Sequence, residues 1–352
     1  MTKSDLSTES YTNRLQSFIK DDYFAKLFKK FGSEFIDYRQ RWDRASSASH
    51  LDDCVGPIHI DLELSNSCNY RCSFCPYSVP KPQRPKGFNS DLSNIMMPMK
   101  LVTKALTESA ALGARALELG YNTEPLLYPH LFEVIKLARN LGFVDIRMGT
   151  NGSLLEPKLS AKLIEAGLTQ LQVSVDAIDE DTYKLSRNSM LYNKVVFNIK
   201  RFLDIRRSLA SDLPLLRLTY VMTPQNRKNS DQFLEQWGDL ADQVTLQDLF
   251  VYENVNEQNS GVSDAAPLTL HSNDINTDSN CYMPKVRLSI KSDGTVHPCC
   301  TVPGMSLKVG NLNEMSISDI WNSPSFMRIR SSHIDGTWKA NKICSDCMSN
   351  AF

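Results

Sequence analysis

The sequence predicts an α/β fold in which parallel strands alternate with helices. Between Ile58 and about Tyr252, short apolar or alternating segments are followed by longer segments with helical periodicity. No internal repeat is visible in this region. Alternating strands and helices imply a parallel sheet with right-handed crossovers. Six such units fit either a partial barrel or a doubly wound sheet.

The elements follow one another in a regular order along the chain. The predicted strands cover residues 58–64, 115–119, 143–149, 170–176, 215–222 and 244–250. The predicted helices cover residues 98–112, 129–141, 156–166, 191–208 and 229–241. We therefore assign residues 55–253 to one barrel-like or sheet domain.

The flanking regions have different patterns. Residues 1–54 are predicted to form a helical extension, because apolar side chains recur near a 3.6-residue period at Phe24, Leu27, Phe28, Phe31, Phe35 and Tyr38. Residues 254–280 are polar and form a predicted linker. In the last predicted domain, residues 281–352, segments 286–291 and 295–298 form a hairpin around Asp293-Gly294, and a helix covers Ser318 to Trp321.

Composition excludes several classes of protein. The 352 residues include 39 basic and 40 acidic side chains, and the net charge is −1. This balance gives no long-range attraction to nucleic acid or to an anionic membrane, so neither is an expected partner. No apolar stretch approaches membrane-spanning length, and the first residues lack the apolar core of a secretory signal. We expect a cytoplasmic protein, in which disulfides are rare.

Nine cysteines are unusual in such a protein, and their positions are informative. They lie at 54, 68, 72, 75, 281, 299, 300, 344 and 347, with none in the long interval between Cys75 and Cys281. A disulfide framework is not expected to be segregated in this way. Binding of a metal ion or an iron–sulfur cluster is the better interpretation.

Cys68, Cys72 and Cys75 follow the first predicted strand directly. A loop there lies at the carboxyl end of the sheet, where α/β folds place their active sites. Three thiolates can hold three irons of a cubane [4Fe–4S] cluster and leave the fourth open to a small molecule. A structural zinc ion needs four ligands, and no fourth cysteine or histidine is nearby.

This C-x3-C-x2-C motif, with Phe74 before the third cysteine, resembles the radical S-adenosylmethionine (radical SAM) superfamily. The resemblance implies a partial (β/α)6 barrel, a [4Fe–4S] cluster whose open iron binds S-adenosylmethionine, and a 5′-deoxyadenosyl radical that abstracts hydrogen from a C–H bond. It also implies an external low-potential electron donor such as a flavodoxin.

Further residues resemble the cofactor site of that family. Residues 120–125 read Gly-Tyr-Asn-Thr-Glu-Pro where the family usually has Gly-Gly-Glu-Pro, so Glu124 matches while Asn122 and Thr123 replace glycines. Asn151, Ser174 and Asp176 match positions that meet the ribose, and Arg187 resembles a partner of the cofactor carboxylate, for which a guanidinium fork is well suited. Turn or helix capping is an alternative for Asn151 and Asp176, and a surface ion pair for Arg187.

The C-terminal cysteines suggest a second site. A Cys-x2-Cys pair at Cys344 and Cys347, together with Cys281 and Cys299, can form a zinc site or a second cubane. Residues 281–347 resemble SPASM/Twitch domains, which carry auxiliary clusters. Once the first cluster takes three of the nine cysteines, six remain, which is enough for one auxiliary [4Fe–4S] cluster and not two. The spacing resembles the single-cluster group that includes aminocyclitol dehydrogenases and aminoglycoside epimerases.

Cys300 is left over by this assignment. It is either a core thiol or, as in related sugar epimerases, a catalytic residue that returns a hydrogen atom to a substrate radical. Cys299 and Cys300 can also exchange roles as the cluster ligand. Cys54 has no visible partner and is predicted to be structural.

The strands carry polar side chains at every second position, which is unusual for buried parallel strands. One face of each strand must pack on helices, so the polar face should line the interior. A polar interior suits a polar small-molecule substrate, and the residues chosen for substrate contact are Glu63, Gln172, Arg217 and Gln247. No general base can be selected.

The leading hypothesis is a radical SAM oxidoreductase or epimerase that acts on a sugar, aminocyclitol or nucleotide-linked sugar. Loss of an electron and a proton from the substrate radical gives a ketone, and return of a hydrogen atom gives an epimer. The alternative enzyme modifies a ribosomally synthesised peptide, although residues 1–54 are too short for the usual leader-binding module. A zinc-bound binding module is the non-enzymatic alternative.

Overall fold

A computed structural model describes residues 7–12, 15–78, 80, 92–120, 122–249 and 280–351. Within these ranges, all strands join one mixed sheet in the order β1-β2-β8-β7-β6-β5-β4-β3-β9-β10-β11. The strands are β1 Ser7–Thr12, β2 Leu15–Ile19, β3 His59–Leu62, β4 Ala116–Leu119, β5 Asp145–Thr150, β6 Gln170–Ser174, β7 Leu215–Met222, β8 Gln243–Asp248, β9 Arg287–Ile290, β10 Thr295–His297 and β11 Gly310–Asn311.

The six strands from β3 to β8 are parallel neighbours in chain order. A doubly wound sheet would reverse this order at a switch point, so the sequential order selects the partial barrel. The predicted α/β class and the six-strand core are confirmed. The barrel helices are α3 Met99–Ala111, α4 Leu131–Asn140, α5 Pro157–Ala166, α6 Glu180–Arg187, α7 Tyr192–Ser208 and α8 Ser230–Trp237.

Each barrel strand buries its apolar side chains against the helices. Leu117 and Leu119 of β4 and Leu171 and Val173 of β6 are fully buried in the main hydrophobic cluster. Successive side chains of a strand point to opposite faces, so the intervening residues point into the barrel. These two faces explain why the strands combine apolar and polar residues.

The N-terminal region differs from the prediction. Helices α1 (Tyr23–Phe31) and α2 (Ser33–Ser46) are present, but the prediction of a helical extension is wrong for β1 and β2. Strand β2 pairs antiparallel with β8. The physical reason is the open edge of β8, whose backbone donors and acceptors need partners that a helix cannot supply.

The C-terminal segment continues the barrel sheet at its other edge. Strand β9 lies parallel to β3, and the predicted hairpin with β10 is confirmed, since Val296 pairs with Ile290. The remaining helices are α9 Met283–Val286, α10 Ile317–Trp321, α11 Pro324–Asp335 and α12 Lys342–Ala351. Residues 254–279 of the predicted linker 254–280 and the predicted strand end at Phe250 lie outside the described residues. In the part of the chain that is described, no helix has the length and apolar character needed to span a membrane.

Candidate active site

The three cysteines of the first motif lie on the loop that follows β3, at the carboxyl end of the barrel. Cys72 is buried, while Cys68 and Cys75 are partly exposed. Burial raises the pKa of the Cys68 and Cys75 thiols, and the neighbouring Cys72 thiol adds to both increases. The Arg71 guanidinium donates to the carbonyl oxygens of Cys68 at 2.9 Å and Tyr70 at 2.8 Å, which fixes the loop around the thiols.

Arg187, the last residue of α6, is buried beside this loop. It forms an ion pair with Asp176, and its Nη1 donates to Cys72 Sγ at 3.5 Å. Its guanidinium carbon lies 5.5 Å from the centre of the Phe74 ring. Burial alone would lower the pKa of Arg187, but the Asp176 carboxylate raises it above its ordinary value. The structure brings these predicted residues together at Cys72, and the alternative of a surface ion pair for Arg187 is wrong.

Glu124 holds together the loops that follow β4 and β5. Its carboxylate accepts hydrogen bonds from Thr150 Oγ1 at 2.7 Å, Asn151 N at 2.9 Å and Leu126 N at 3.1 Å. Burial raises the pKa of Glu124, and these donors oppose the increase. Since its carboxylate is occupied by the loops, Glu124 positions the backbone that faces the cofactor region.

The two departures from the glycine-rich family pattern are accommodated locally. Asn122 adopts a φ of 63°, in the left-handed region that asparagine tolerates. Thr123 Oγ1 donates to the carbonyl oxygen of Ser65 at 2.8 Å, which ties this loop to the end of β3. Gly120 is still required, because a Cβ there would lie 2.6 Å from the Gly149 carbonyl oxygen.

Asn151 and Ser174 lie on the two following strand ends. Asn151 Nδ2 donates to Asn69 Oδ1 at 2.8 Å, and Asn151 Oδ1 accepts from Ser153 N at 2.9 Å, so Asn151 also has the predicted turn role. Ser174 is half-buried, and its hydroxyl accepts from Thr219 Oγ1 at 3.2 Å. Cofactor contact by these two residues remains a prediction.

Four C-terminal cysteines line one cavity, namely Cys281, Cys299, Cys344 and Cys347. Thr301 Oγ1 lies 3.5 Å from Cys299 Sγ and 3.9 Å from Cys347 Sγ. Gly304 also lines the cavity, and a Cβ at this position would lie 2.2 Å from Cys299 Sγ.

The donor set of this cavity fits a cubane cluster, which takes one thiolate at each of its four irons. Four thiolates are also the ligand set of some structural zinc sites.

Cys300 lies outside that cavity. Its Sγ accepts a hydrogen bond from Arg287 Nη1 at 3.1 Å, and Arg287 also pairs with Asp61 of β3 at 3.0 Å. Cys300 further packs against a small cluster that contains Tyr77. The leftover thiol thus lies beside a charged pair of the barrel interior. Cys54 is buried, and its carbonyl accepts from Trp321 Nε1 at 2.8 Å, in keeping with a structural position.

The barrel interior contains a network of polar side chains. Asp145 pairs with Arg147 at 2.6 Å and accepts from Tyr38 at 3.0 Å and Gln170 at 2.6 Å. The Arg147 side chain nevertheless remains 32% exposed, so solvent reaches the interior. Tyr38 belongs to the N-terminal helices, which therefore contribute to this network.

The four predicted substrate residues differ in their surroundings. Glu63 is fully buried; it forms an ion pair with Lys291 and accepts from Ser292 Oγ at 2.8 Å, so it links β3 to the C-terminal segment. Gln172, Arg217 and Gln247 are half-buried. Arg217 Nε donates to Thr245 Oγ1 at 3.0 Å. These three side chains leave polar groups available in the interior, whereas Glu63 does not.

Glu118 of β4 is an interior residue that the sequence did not single out. It lies between Asp61 of β3 and Arg147 of β5 in the strand register. Burial raises the pKa of Glu118 to about 7, against the opposing effect of Arg147. In the sequence, Glu118 could be noticed only as a single charged residue within the predicted strand. The preceding inward residue, Ala116, is apolar, so β4 does not show the alternation of polar and apolar residues seen in the other strands.

Comparison with known proteins identifies both cysteine regions. The radical SAM superfamily model matches residues 62–223, and the SPASM iron–sulfur cluster-binding domain model matches residues 281–348. The two matches together cover well over half of the chain. The chain belongs to the radical SAM superfamily and carries a C-terminal SPASM domain, which implies S-adenosylmethionine, a [4Fe–4S] cluster and auxiliary iron–sulfur binding.

Individual relatives cover less of the chain or are more distant. A probable GTP 3′,8-cyclase from Saccharolobus solfataricus is 29% identical over 178 residues, which are 50% of this chain and 51% of that protein. One from Methanocaldococcus jannaschii is 27% identical over 182 residues, or 52% of this chain and 55% of that protein. The chain thus spans about half the length of the curated relatives it matches.

Solved structures resemble this fold over a larger share of the chain. BtrN in complex with AdoMet and 2-DOIA has a TM-score of 0.50 and 19% identity, and the match covers 82% of this chain and 91% of that chain. Streptococcus suis SuiB bound to S-adenosylmethionine has a TM-score of 0.56 and 15% identity, with 79% and 68% covered. At these identities the likeness establishes the fold.

Proposed function

We propose that this radical SAM enzyme abstracts hydrogen from a carbon of a polar small molecule and that Cys300 returns a hydrogen atom to it, which gives an epimer. The substrate class is a sugar, an aminocyclitol or a nucleotide-linked sugar. The observation that carries the proposal is the position of the Cys300 thiol, outside the four-thiol cavity and beside the Arg287–Asp61 pair of the barrel interior.

The residues present fit the groups that the family implies. Cys68, Cys72 and Cys75 would hold the cluster that binds S-adenosylmethionine, and Cys281, Cys299, Cys344 and Cys347 would hold one auxiliary [4Fe–4S] cluster. When bound, the first cluster and S-adenosylmethionine supply hydrogen-atom abstraction from a C–H bond. The protein's part is to hold the substrate in the polar interior and to place a thiol on the other side of the reacting carbon.

The hydrogen-return step conserves atoms and electrons. The S–H bond of Cys300 breaks homolytically, and its hydrogen atom forms a new C–H bond on the opposite face of the substrate carbon. The sulfur is left as a thiyl radical, which one electron and one proton restore to the thiol. A low-potential iron–sulfur or flavin donor supplies the electron, and a flavodoxin is the expected external partner.

Solvent deuterium tests this step, because a thiol exchanges its hydrogen with water. The cluster-loaded enzyme is incubated anaerobically in D2O with S-adenosylmethionine, a reductant and a panel of nucleotide-linked sugars, sugar phosphates and aminocyclitols. We expect one deuterium at the inverted carbon of the product. Cys300→Ala should still form 5′-deoxyadenosine but lose the deuterated epimer, whereas the control Cys54→Ala should retain it. An unchanged product from Cys300→Ala would refute the proposal.

Oxidation to a ketone is the second candidate, and Glu118 favours it. In that reaction the hydroxyl proton of the substrate radical needs an acceptor, and the auxiliary cluster that the C-terminal cysteines would hold would supply, in its oxidised form, the acceptor for the remaining electron. Glu118 is half-buried, its pKa lies near 7, and its carboxyl has no hydrogen bond within the described residues. If the panel gives a ketone with no deuterium and Cys300→Ala leaves it unchanged, oxidation replaces epimerisation as the function.

The structural neighbours do not decide the substrate. BtrN is described with 2-DOIA and SuiB with a precursor peptide, but identities of 19% and 14% support the fold alone. A peptide substrate would have to reach the reacting centre through the polar interior. Including a short peptide in the panel distinguishes it from the small molecules.

A further inference from the structure

Arg217 is an interior cation without an opposite charge in hydrogen-bond contact. Its guanidinium has one hydrogen bond within the described ranges, to the neutral hydroxyl of Thr245, and no ion pair there. Other arginines of the barrel are paired, as Arg147 is with Asp145 at 2.6 Å and Arg287 with Asp61 at 3.0 Å.

The surrounding charges do not neutralise Arg217. A guanidinium stays protonated in proteins, and a half-buried charge without an opposite charge beside it is less favourable than a paired one. The interior carboxylates Asp61 and Asp145 are held by other arginines, and Arg147 adds a second positive charge near Arg217. The carboxyl that remains is Glu118, which burial keeps partly protonated at neutral pH. The interior around Arg217 is therefore positive when Glu118 is protonated.

Arg217 also lies at a depth that suits a substrate. It is half-buried on β7, two residues before Thr219, whose hydroxyl bonds Ser174 near the expected cofactor ribose. Two residues along a strand correspond to about 7 Å. A molecule that contacts Arg217 would thus lie one layer of side chains deeper in the barrel than the cofactor.

A second donor stands beside it. Gln172 of β6 is paired in register with Arg217 and is half-buried. Its amide has no side-chain hydrogen bond to any residue in the described part of the chain. A guanidinium fork with an adjacent amide is a suitable donor set for the oxygens of a phosphate or carboxylate.

We infer that Arg217 and Gln172 form an anion-binding subsite in the barrel interior, and that the substrate carries a phosphate or carboxylate group bound there. This inference rests on the proposed function, since it takes the substrate to lie in the barrel. It narrows the substrate class to sugar phosphates, nucleotide-linked sugars or acidic sugars, and disfavours an aminocyclitol with only amine and hydroxyl groups.

Inorganic pyrophosphate and inorganic phosphate are the probes, measured by anaerobic titration calorimetry on the cluster-loaded enzyme with no substrate present. We expect saturable binding to the wild type, and a Kd about ten- to a hundredfold higher for Arg217→Met. The control Arg201→Met removes an exposed arginine of α7 and should change the Kd less than twofold. Iron content and unfolding midpoint establish that each variant is folded and loaded.

If Arg217→Met fails to load its clusters, Arg217→Gln repeats the comparison, because glutamine can still donate to Thr245 without the charge. Equal affinity of the wild type and the Arg217 variant, or no saturable binding to the wild type, would overturn the inference. If the wild type shows no saturable anion binding but still transfers deuterium to a neutral sugar, only the subsite is refuted. If anion binding depends on Arg217 but Cys300→Ala still forms the wild-type product, only the proposed epimerisation is refuted.

Discussion

The strongest test of the four-thiol cavity is the smallest change to it, Gly304→Ala. A Cβ at residue 304 would lie 2.2 Å from Cys299 Sγ and 2.9 Å from Thr301 Oγ1. Carbon and sulfur in van der Waals contact lie well over an ångström further apart than 2.2 Å, so the thiol or the 303–306 turn must move by that amount. Overpacking of this kind costs about 1–3 kcal/mol in the metal-free fold.

The larger effect is expected on the cluster. Cys299 is one of four thiols around the cavity, and a displaced ligand leaves one iron of a cubane without its thiolate. We expect the anaerobically reconstituted wild type to hold about eight irons per chain and Gly304→Ala about four, with a matching loss of sulfide. The spectrum of the S-adenosylmethionine-binding cluster should be unchanged.

Gly149→Ala is the matched control, because a Cβ at residue 149 has no neighbour within 4 Å and its backbone is not left-handed. It should retain about eight irons. Wild-type iron content in Gly304→Ala would mean that Cys299 does not bind the cluster in the position described, and the choice between Cys299 and Cys300 as ligand would have to be reversed.

Three further predictions concern the carboxyl groups of Glu124 and Glu118. Glu124→Ala removes the acceptor of three hydrogen bonds, so it should lower the free energy of unfolding by at least about 1–3 kcal/mol and weaken S-adenosylmethionine binding. The control Glu156→Ala, at an exposed ion pair, should change the free energy of unfolding by less than about 1 kcal/mol. Urea unfolding measures stability and calorimetry measures binding, and a Glu124→Ala variant with wild-type stability and wild-type binding would contradict the positioning role. Glu118→Gln should be more stable than the wild type at pH 8 but not at pH 4. The folded-state pKa of Glu118, about 7, is raised above the ordinary value of 4.5. The wild type therefore loses stability as the pH rises from 4.5 to 7, whereas the glutamine variant does not. Pyrophosphate affinity, taken relative to Glu118→Gln at each pH so that the ionisation of the ligand cancels, should fall in the wild type as the pH rises through about 7, since ionised Glu118 adds a negative charge near Arg217. Parallel pH profiles of the two proteins would contradict this role of Glu118.

Features carried by contiguous sequence could be predicted. The spacing of Cys68, Cys72 and Cys75 after an apolar strand predicts a cluster loop, and the structure presents those thiols on one loop at the carboxyl end of the barrel. The alternation of Gln170, Gln172 and Ser174 with apolar residues predicts an inward polar face on β6. These signals are local because they depend on strand periodicity and on residues a few positions apart.

Features that depend on distant pairing could not be predicted in the same way. Glu63 resembles a substrate ligand until Lys291 is seen to hold it, and these residues are 228 positions apart. The strand character of residues 15–19 arises from the unpaired edge of β8, whose position is set by the fold and not by the local sequence. Glu118 acquires its raised pKa from burial among residues of three other strands. In each case the decisive neighbour lies on a distant segment that the folded sheet brings alongside.

The parallel pairing of β9 with β3 has a mechanical consequence. The family models treat residues 62–223 and 281–348 as separate domains, yet backbone hydrogen bonds and the Glu63–Lys291 and Asp61–Arg287 pairs fasten the second to the first strand of the barrel. A segment attached in this way cannot swing open as a lid. If the two groups of cysteines hold clusters as proposed, the distance between those clusters is therefore set by the sheet and stays constant during turnover.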